Sequence, residues 1–301
     1  MGLQILALII WSSSFIAAKH AYQMFDPVLL VQLRLFIAVL PLLPLLPGHL
    51  RRIPRNKWPL LLALTFANYI CVLLLQFIGL KYTSVASAVT ILGLEPLLTV
   101  FVGHFFFNDR AQPYHWLCGL LALVGVVLMI SGGDAGGQVS FFGCFLILLG
   151  GVAFSVALRP TQQFIREIDA GSYTAVSLTL AGFLCLPFTL TLVESYHIAF
   201  AWSGLFSLFY LAVGCSWLAY WLWNRGMNQV PANLAALLTP LEPLFGLLMA
   251  VLLLGERPSA LAWLGVALVL MATISAALVP VILRWQRRRH LAELMRRANA
   301  S

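Results

Sequence analysis

Ten apolar stretches, each close to the length of a membrane-spanning helix, follow one another along the 301-residue chain. A helix of about 20 residues crosses the hydrocarbon core of a bilayer. The chain is 61% hydrophobic and 9% charged, whereas soluble domains carry roughly 25% charged residues. The stretches are continuous and do not alternate with polar residues, which excludes a β-barrel. We therefore predict an all-α integral membrane protein with ten transmembrane helices, over 2–19, 27–46, 58–79, 83–106, 113–131, 139–158, 172–193, 203–224, 231–254 and 260–283.

A three-residue unit occurs twice within these stretches, as Leu94-Glu95-Pro96 and as Leu241-Glu242-Pro243, 147 residues apart (242 − 95). The same offset aligns Gly79–Arg110 with Gly226–Arg257, and the uncommon residues are the ones that match. Such self-similarity at a fixed offset indicates an internal duplication.

The duplication divides the predicted helices into two halves of five. Because five is odd, the second half enters the membrane from the opposite side to the first. We therefore predict two inverted five-helix repeats, over 1–131 and 139–283, followed by a basic tail over 284–301. Transporters built from inverted repeats place the substrate near the middle of the membrane, between the repeats.

The distribution of basic residues predicts the orientation. With the N-terminus inside, 14 of the 18 Lys and Arg residues lie in cytoplasmic loops or the tail, and 3 lie at the outer ends. Short cytoplasmic loops are enriched in Lys and Arg, so we expect both termini in the cytoplasm. The first stretch begins near Met1 without a preceding basic region, which favours a retained helix over a signal peptide. The tail is either a basic amphipathic helix on the anionic inner leaflet or a solvated tail.

Carboxylates and prolines are unexpected in the middle of apolar helices. A proline removes a helical hydrogen bond and frees a carbonyl, and freed backbone in a membrane is met by neighbours or lines a cavity. We therefore predict kinks at Pro96, Pro240 and Pro243, in helices four and nine, facing the bundle interior. Beside them, Glu95 and Glu242 either carry protons for coupling or fix their helices through hydrogen bonds.

Arg34 is the only basic residue deep within a predicted helix. Three interpretations remain open for its guanidinium group. It forms an ion pair with Glu95 or Glu242, it binds a carboxylate of the substrate, or it snorkels to the outer surface.

The remaining candidate substrate-binding residues are polar or aromatic and lie inside predicted helices. They are Trp11, Ser12, Tyr69, Gln76, Trp217, Tyr220 and Asn233. Hydroxyl groups such as that of Ser12 suit either helix packing or hydrogen bonds into a cavity. In helix eight, Trp217 and Tyr220 share one face by their helical spacing, whereas an interfacial aromatic belt explains Trp221 and Trp223.

Several chemistries have no signature in this chain. It lacks a Walker A sequence, a His-Glu-x-x-His motif and a Gly-x-Ser-x-Gly motif. The five cysteines lie inside apolar stretches without metal-ligand spacing. We therefore expect no cofactor, no metal and no enzymatic activity. The net charge of +8 collects at helix ends and in the tail, so we expect no nucleic-acid partner.

These residues together resemble the drug/metabolite transporter superfamily, specifically its EamA-type ten-helix permeases. The resemblance covers almost the whole chain and rests on Trp11–Ser14, on Arg34, and on Pro96 followed by Asp109-Arg110. Its strongest part is Leu241-Glu242-Pro243 followed by Leu254-Gly255-Glu256-Arg257.

The resemblance implies a multi-pass protein of the bacterial inner membrane that exports small metabolites, most commonly amino acids. The implied mechanism is alternating access, often with proton exchange, and a cavity lined by helices one, three, four, six, eight and nine. In the first half, Asn108-Asp109 replaces the Gly-Glu that is typical of the family, so the resemblance does not imply symmetric roles for the two glutamates.

Two other functions are alternatives to a metabolite exporter. A transporter of sugar phosphates or nucleotide sugars needs several basic cavity residues, and only Arg34 and Lys19, the latter at the rim, qualify. A membrane-embedded lipid-modifying enzyme needs clustered acids at the cytoplasmic face, and Asp109, Glu167 and Asp169 are not paired for a metal. The expected partners are the lipid bilayer, a small-molecule substrate and protons as a candidate coupling ion, and the expected state is a monomer or homodimer.

Overall fold

The computed structural model of the chain describes residues 2–133, 139–227 and 241–298, with side chains described as far as Ile282 except that of Pro280. Ten apolar helices run through these residues; eight are long enough to cross a membrane, and two are shorter in their described part. This confirms the predicted all-α architecture. The helices are α1 (Gly2–Ala21), α2 (Pro27–Leu42), α3 (Arg55–Lys81), α4 (Val85–Phe106), α5 (Pro113–Gly132), α6 (Phe141–Glu167), α7 (Ala170–Leu192), α8 (Trp202–Met227), α9 (Leu241–Leu254) and α10 (Ala260–Val279).

The last helix continues beyond its membrane-spanning part as far as Ala298. The basic tail predicted from residue 284 onward is therefore helical over most of its length. Two of the predicted site residues, Asn233 and Pro240, lie outside the described residues.

Helix α4 is interrupted beside the first Leu-Glu-Pro unit. Its first segment is Val85–Leu92 and its second is Glu95–Phe106, with a turn at Gly93 and Leu94 between them. Pro96 occupies the second position of the second segment, where a missing N–H group is tolerated because the first turn of a helix has no intrahelical acceptor. The proline therefore begins a helical segment.

Two helices contain a π-helical segment, at equivalent places in the two halves. In α3 the segment is Phe66–Cys71, and in α8 it is Tyr210–Leu218. Shifting the first by the 147-residue offset of the duplication places it within the second. Because π-helical turns are rare and concentrate at functional sites, these segments indicate that α3 and α8 contribute to such a site.

Ion pairs and hydrogen bonds sort the connecting loops into two ends of the bundle. At one end, the ion pair Arg52–Asp169 joins the loops after α2 and α6, Lys57–Glu167 joins the start of α3 to the end of α6, and Arg159–Asp109 joins α6 to the loop after α4. We call this the basic end, because it holds most of the loop Lys and Arg residues. At the other, which we call the opposite end, Lys81 and Glu194 join the loops after α3 and α7.

The two halves, α1–α5 and α6–α10, are packed into each other. Helix α1 packs on α8 and α9 of the second half, and α6 packs in the same way on α3 and α4 of the first. Helix α4 contacts α9 so closely that a Cβ atom at Gly93 would lie 3.1 Å from Pro243 Cγ. The centre of the bundle is therefore an interface between halves, at the height of both Leu-Glu-Pro units.

Candidate functional site

A small cavity lies at this interface. It has room for about 50 Å³, which accommodates a few water molecules and is far below the roughly 300–1,000 Å³ of ordinary ligand pockets. Side chains from α1, α2, α3, α4, α6, α8 and α9 line it. They are Leu8, Trp11, Ser14, Phe15, Arg34, Val72, Leu73, Gln76, Phe77, Leu92, Glu95, Phe154, Tyr220, Trp223 and Glu242.

Glu95 and Glu242 both line this cavity, and each comes from its half's copy of the Leu-Glu-Pro unit. Their backbone carbonyl groups are held by hydroxyl groups. Thr99 Oγ1 donates to the Glu95 carbonyl at 2.8 Å, and Ser12 Oγ donates to the Glu242 carbonyl at 3.0 Å. Ser12 also donates to the Leu8 carbonyl at 2.7 Å and is fully buried. The Ser12 hydroxyl therefore joins α1 to α9.

Arg34 enters the cavity from α2 and is 1% exposed. Its Nε donates to Ser216 Oγ at 2.7 Å, and its Cζ lies 4.7 Å from the centroid of the Phe77 ring. Its Nη1 has no hydrogen-bond partner. The four ion pairs found among the described residues all lie at the two ends of the bundle. Arg34 therefore neither snorkels to the surface nor forms an ion pair with either glutamate.

Aromatic side chains form one wall of the cavity. The ring of Trp11 meets that of Tyr220 edge-on at 5.0 Å and that of Trp223 at 5.5 Å, centroid to centroid. Tyr69 stacks behind Tyr220 at 4.6 Å and is itself fully buried, so it supports the wall without lining it. The Nε1 of Trp223 lacks a hydrogen-bond partner.

The structure overturns the interpretation of two tryptophans in α8. Trp223, assigned above to an interfacial belt, is 5% exposed and lines the cavity. Trp217 packs beside the apolar core and does not line it. Trp223 follows Tyr220 by three residues in the α-helical part of α8, so regular spacing places both rings on one face. The assignment of Trp223 to the interfacial belt is therefore wrong because this part of α8 is buried in the bundle.

The sequence-predicted residues fall into groups. Trp11, Arg34, Gln76, Glu95, Tyr220 and Glu242 come together around the cavity, whereas Ser12 and Tyr69 lie directly behind it. Sequence reasoning missed Phe77 and Phe154 in addition to Trp223. Phe77 directly follows Gln76, a predicted site residue, and this neighbour was a signal that could have identified it. Phe154 lies in an apolar helix and has no polar neighbour that distinguishes it from other core residues.

A set of neutral hydrogen bonds lies between the cavity and the basic end. Asn68 Nδ2 donates to Thr161 Oγ1 at 2.9 Å and to the Tyr173 hydroxyl at 3.1 Å. The Tyr220 hydroxyl donates to the Asn68 carbonyl at 3.2 Å. Nearby, Asn224 Nδ2 donates to a threonine hydroxyl of α7 at 2.9 Å. These bonds join α3, α6, α7 and α8 on the side of the aromatic wall that faces the basic end.

Toward the opposite end, charged side chains from both halves hold the turn between α3 and α4. Lys19 Nζ donates to the carbonyls of Leu80 and Thr83 at 2.9 and 2.8 Å. The carboxylate of Glu256, from the α9–α10 connection, accepts from the first two N–H groups of α4, both at 2.7 Å. A cation at a helix C-terminus and an anion at a helix N-terminus are each favoured by the helix dipole. We call this arrangement the turn clamp.

Comparisons with known proteins place the chain among transporters. A sequence model of the EamA-like transporter family matches residues 1–131 and 141–278. An uncharacterized transporter of Haemophilus influenzae is 47% identical over 142 residues, covering 46% of this chain and 84% of that protein. A Salmonella typhimurium protein named "Probable amino-acid metabolite efflux pump" is 24% identical, over 89% of this chain and 91% of its own length.

A solved crystal structure shares the fold. It superposes with a TM-score of 0.64 at 22% sequence identity, covering 92% of this chain and 95% of the other. The family match is repeated once in each half of the chain, which agrees with ten helices in two sets of five. The chain therefore belongs to the EamA-like transporter family, and it is a transporter and not an enzyme.

Proposed function

We propose that this protein exports small metabolites, such as amino acids, by alternating access in exchange for protons. The observation that carries the proposal is that two carboxylates, Glu95 and Glu242, line one small cavity between the two halves of the chain. The Salmonella relative's name points in the same direction for the substrate class. The protein then resides in a bacterial inner membrane as a monomer or homodimer.

The small size of the cavity supports alternating access. About 50 Å³ cannot hold an amino acid, so the substrate enters only after the halves separate at one end. The turn clamp and the neutral hydrogen bonds of Asn68 then act as alternative closures, of which one opens while the other holds. Inverted repeats make such rocking motions about a central site.

The basic end faces the cytoplasm in this proposal, because Lys and Arg collect in cytoplasmic loops. An exported substrate then enters through the hydrogen bonds of Asn68 and leaves through the turn clamp. A proton moving inward needs a carrier in the cavity that is exposed to each side in turn. Glu95 and Glu242 meet that requirement, since they line the one space that both closures seal.

The alternative of a phosphorylated substrate has less support. Arg34 is the only basic side chain lining the described cavity, and it shares the space with two carboxyl groups. A doubly charged phosphate group gains too little from one cation next to two acids.

The test is transport in proteoliposomes with a defined pH gradient. Wild-type protein should accumulate labelled amino acids against their gradient when a proton gradient drives exchange. We expect Glu242→Gln to lower this accumulation at least tenfold while leaving substrate exchange at equal pH in place. The matched control is Glu167→Gln, which removes a carboxylate that pairs with Lys57 at the basic end. Normal pH-driven accumulation by Glu242→Gln would refute proton coupling through this residue.

A further inference from the structure

We propose that Arg34 binds a free carboxylate of the substrate, with the Trp223 indole as a second donor, so that the transporter distinguishes acids from their uncharged amides. This inference rests on the transport function proposed above and deepens it. It gives the cavity a chemical requirement that its size and family membership do not supply.

The first argument is the missing counter-charge. A guanidinium group remains protonated in proteins, and leaving a charged donor buried without a partner costs more than leaving a neutral one. Arg34 is 1% exposed, its Nη1 has no partner, and it forms none of the ion pairs among the described residues. Glu95 and Glu242 line the same cavity but do not contact this guanidinium group, so an anionic ligand could accept directly from Nη1.

The second argument is that the guanidinium group is held in a fixed orientation. Its Nε edge is occupied by Ser216, whose own hydroxyl donates to the Leu211 carbonyl at 2.9 Å, five residues back in the π-helical segment. The ring of Phe77 supports the guanidinium group at 4.7 Å. These contacts leave Nη1 unused, and a fixed guanidinium fork suits a planar carboxylate.

The third argument is a second unsatisfied donor that lines the same cavity. Trp223 Nε1 can only donate, is buried, and has no acceptor. Trp223 comes from the second half of the chain and Arg34 from the first, and both line the cavity. Two unmet donors from opposite halves favour a ligand with at least two acceptor atoms on one group, as a carboxylate has.

The aromatic wall defines the rest of the ligand. Trp11, Tyr220 and Phe154 present ring surfaces to the same space, and such surfaces favour an apolar body next to the carboxylate. Aromatic and large aliphatic amino acids, and the corresponding acids without an amino group, fit this description.

The experiment compares acids with their amides in proteoliposomes. Labelled phenylalanine and leucine serve as exchange substrates. The competitors are phenylalanine, phenylalaninamide, 3-phenylpropionate, leucine and leucinamide. We expect phenylalanine and leucine each to compete at least tenfold better than the corresponding amide. We also expect 3-phenylpropionate, which has a carboxylate but no amino group, to compete. Arg34→Gln should remove this preference, Arg34→Lys should retain part of it, and Trp223→Phe should weaken it.

Trp217→Phe is the control, because Trp217 lies in the same helix but does not line the cavity. If the amides compete as well as the acids against wild-type protein, the inference is wrong even though transport occurs, and this result needs no variant to fold. Equal losses for acid and amide in a correctly folded Arg34→Gln variant would also overturn it. If neither amino acid is exchanged but other metabolites are, the carboxylate requirement is wrong while transport stands. If nothing is exchanged, the proposed function fails first.

Discussion

The two closures of the cavity use different chemistry. The turn clamp employs charged groups, Lys19 and Glu256, on backbone atoms at helix ends. The closure toward the basic end employs neutral side chains, chiefly Asn68 with Thr161 and Tyr173. Hydrogen bonds to charged groups contribute roughly 1.5–3 kcal/mol each, and neutral ones about 0.5–1.5 kcal/mol.

Under the proposed alternating-access mechanism, the two ends of the cavity would therefore open at different energetic cost, although the family match is repeated in both halves. A transporter with unequal closures spends unequal time open to the two sides. The turn clamp is the stronger of the two by these magnitudes, so the empty protein should open more readily toward the basic end. For an exporter whose basic end is cytoplasmic, that is the side on which substrate binds.

Breaking the turn clamp should have the largest effect. Glu256→Ala removes the acceptor of both N–H groups at the start of α4. We expect a cysteine placed at Ser14, in the cavity, to react at least tenfold faster with an impermeant maleimide added at the opposite end. The background protein has its five native cysteines replaced by alanine. Glu256→Gln, which keeps a neutral acceptor, should give an intermediate rate, and an unchanged rate in Glu256→Ala would contradict the assignment.

Breaking the neutral closure should have a smaller effect, at the other side. Asn68→Ala removes the donor to the Thr161 and Tyr173 hydroxyl groups. The same cysteine at Ser14 should then react about three- to tenfold faster with reagent added at the basic end, as the net loss of about one neutral hydrogen bond predicts. A change as large as that of Glu256→Ala would show that charge does not distinguish the closures.

The smallest effect should come from the exposed ion pair between Lys81 and Glu194. Its atoms lie 2.6 Å apart, but the Glu194 side chain is 63% exposed, and such pairs contribute less than about 1 kcal/mol. The hydrogen bond from Lys81 holds the pKa of the Glu194 carboxyl below its usual range. Its contribution is therefore complete above the unfolded-state pKa of about 4.3 and is lost as pH falls through the lower folded-state value. Glu194→Gln should barely change thermal stability at neutral pH; a marked loss would place this pair with the turn clamp.

Much of the architecture follows from the sequence because membrane burial leaves few choices. Long apolar stretches become helices, and the repeated Leu-Glu-Pro units lie at the interface between halves, since carboxylates and interrupted backbone avoid lipid. Arg34, Glu95 and Glu242 were therefore candidates from residue type alone, and the structure brings all three to one cavity.

The aromatic wall was harder to predict, because aromatic residues occur in the core, at the membrane interface and in ligand pockets of a membrane protein. Trp217 and Trp223 lie six residues apart, which places them about 120° apart around a regular α-helix. Trp223 shares a face with Tyr220, but its position near the end of a predicted helix favoured an interfacial belt. The sequence does not show that this end of α8 is covered by other helices. Phe154 lines the cavity because α6 packs against α8 and brings its ring next to that of Trp223, and this contact between helices has no signature in the sequence.

The π-helical segments also bear on how these helices tolerate changes of length. A helix with a π segment holds one residue more than the surrounding α-helical path requires. Deleting one residue from a regular α-helix turns everything after the deletion by about 100°. Deleting the surplus residue within Phe66–Cys71 would instead let α3 become a regular helix, with the residues on both sides of the segment keeping their orientation. Gln76 and Phe77 would then still face the cavity. Each π segment is thus a place where its helix can lose a residue without losing the side chains that line the cavity.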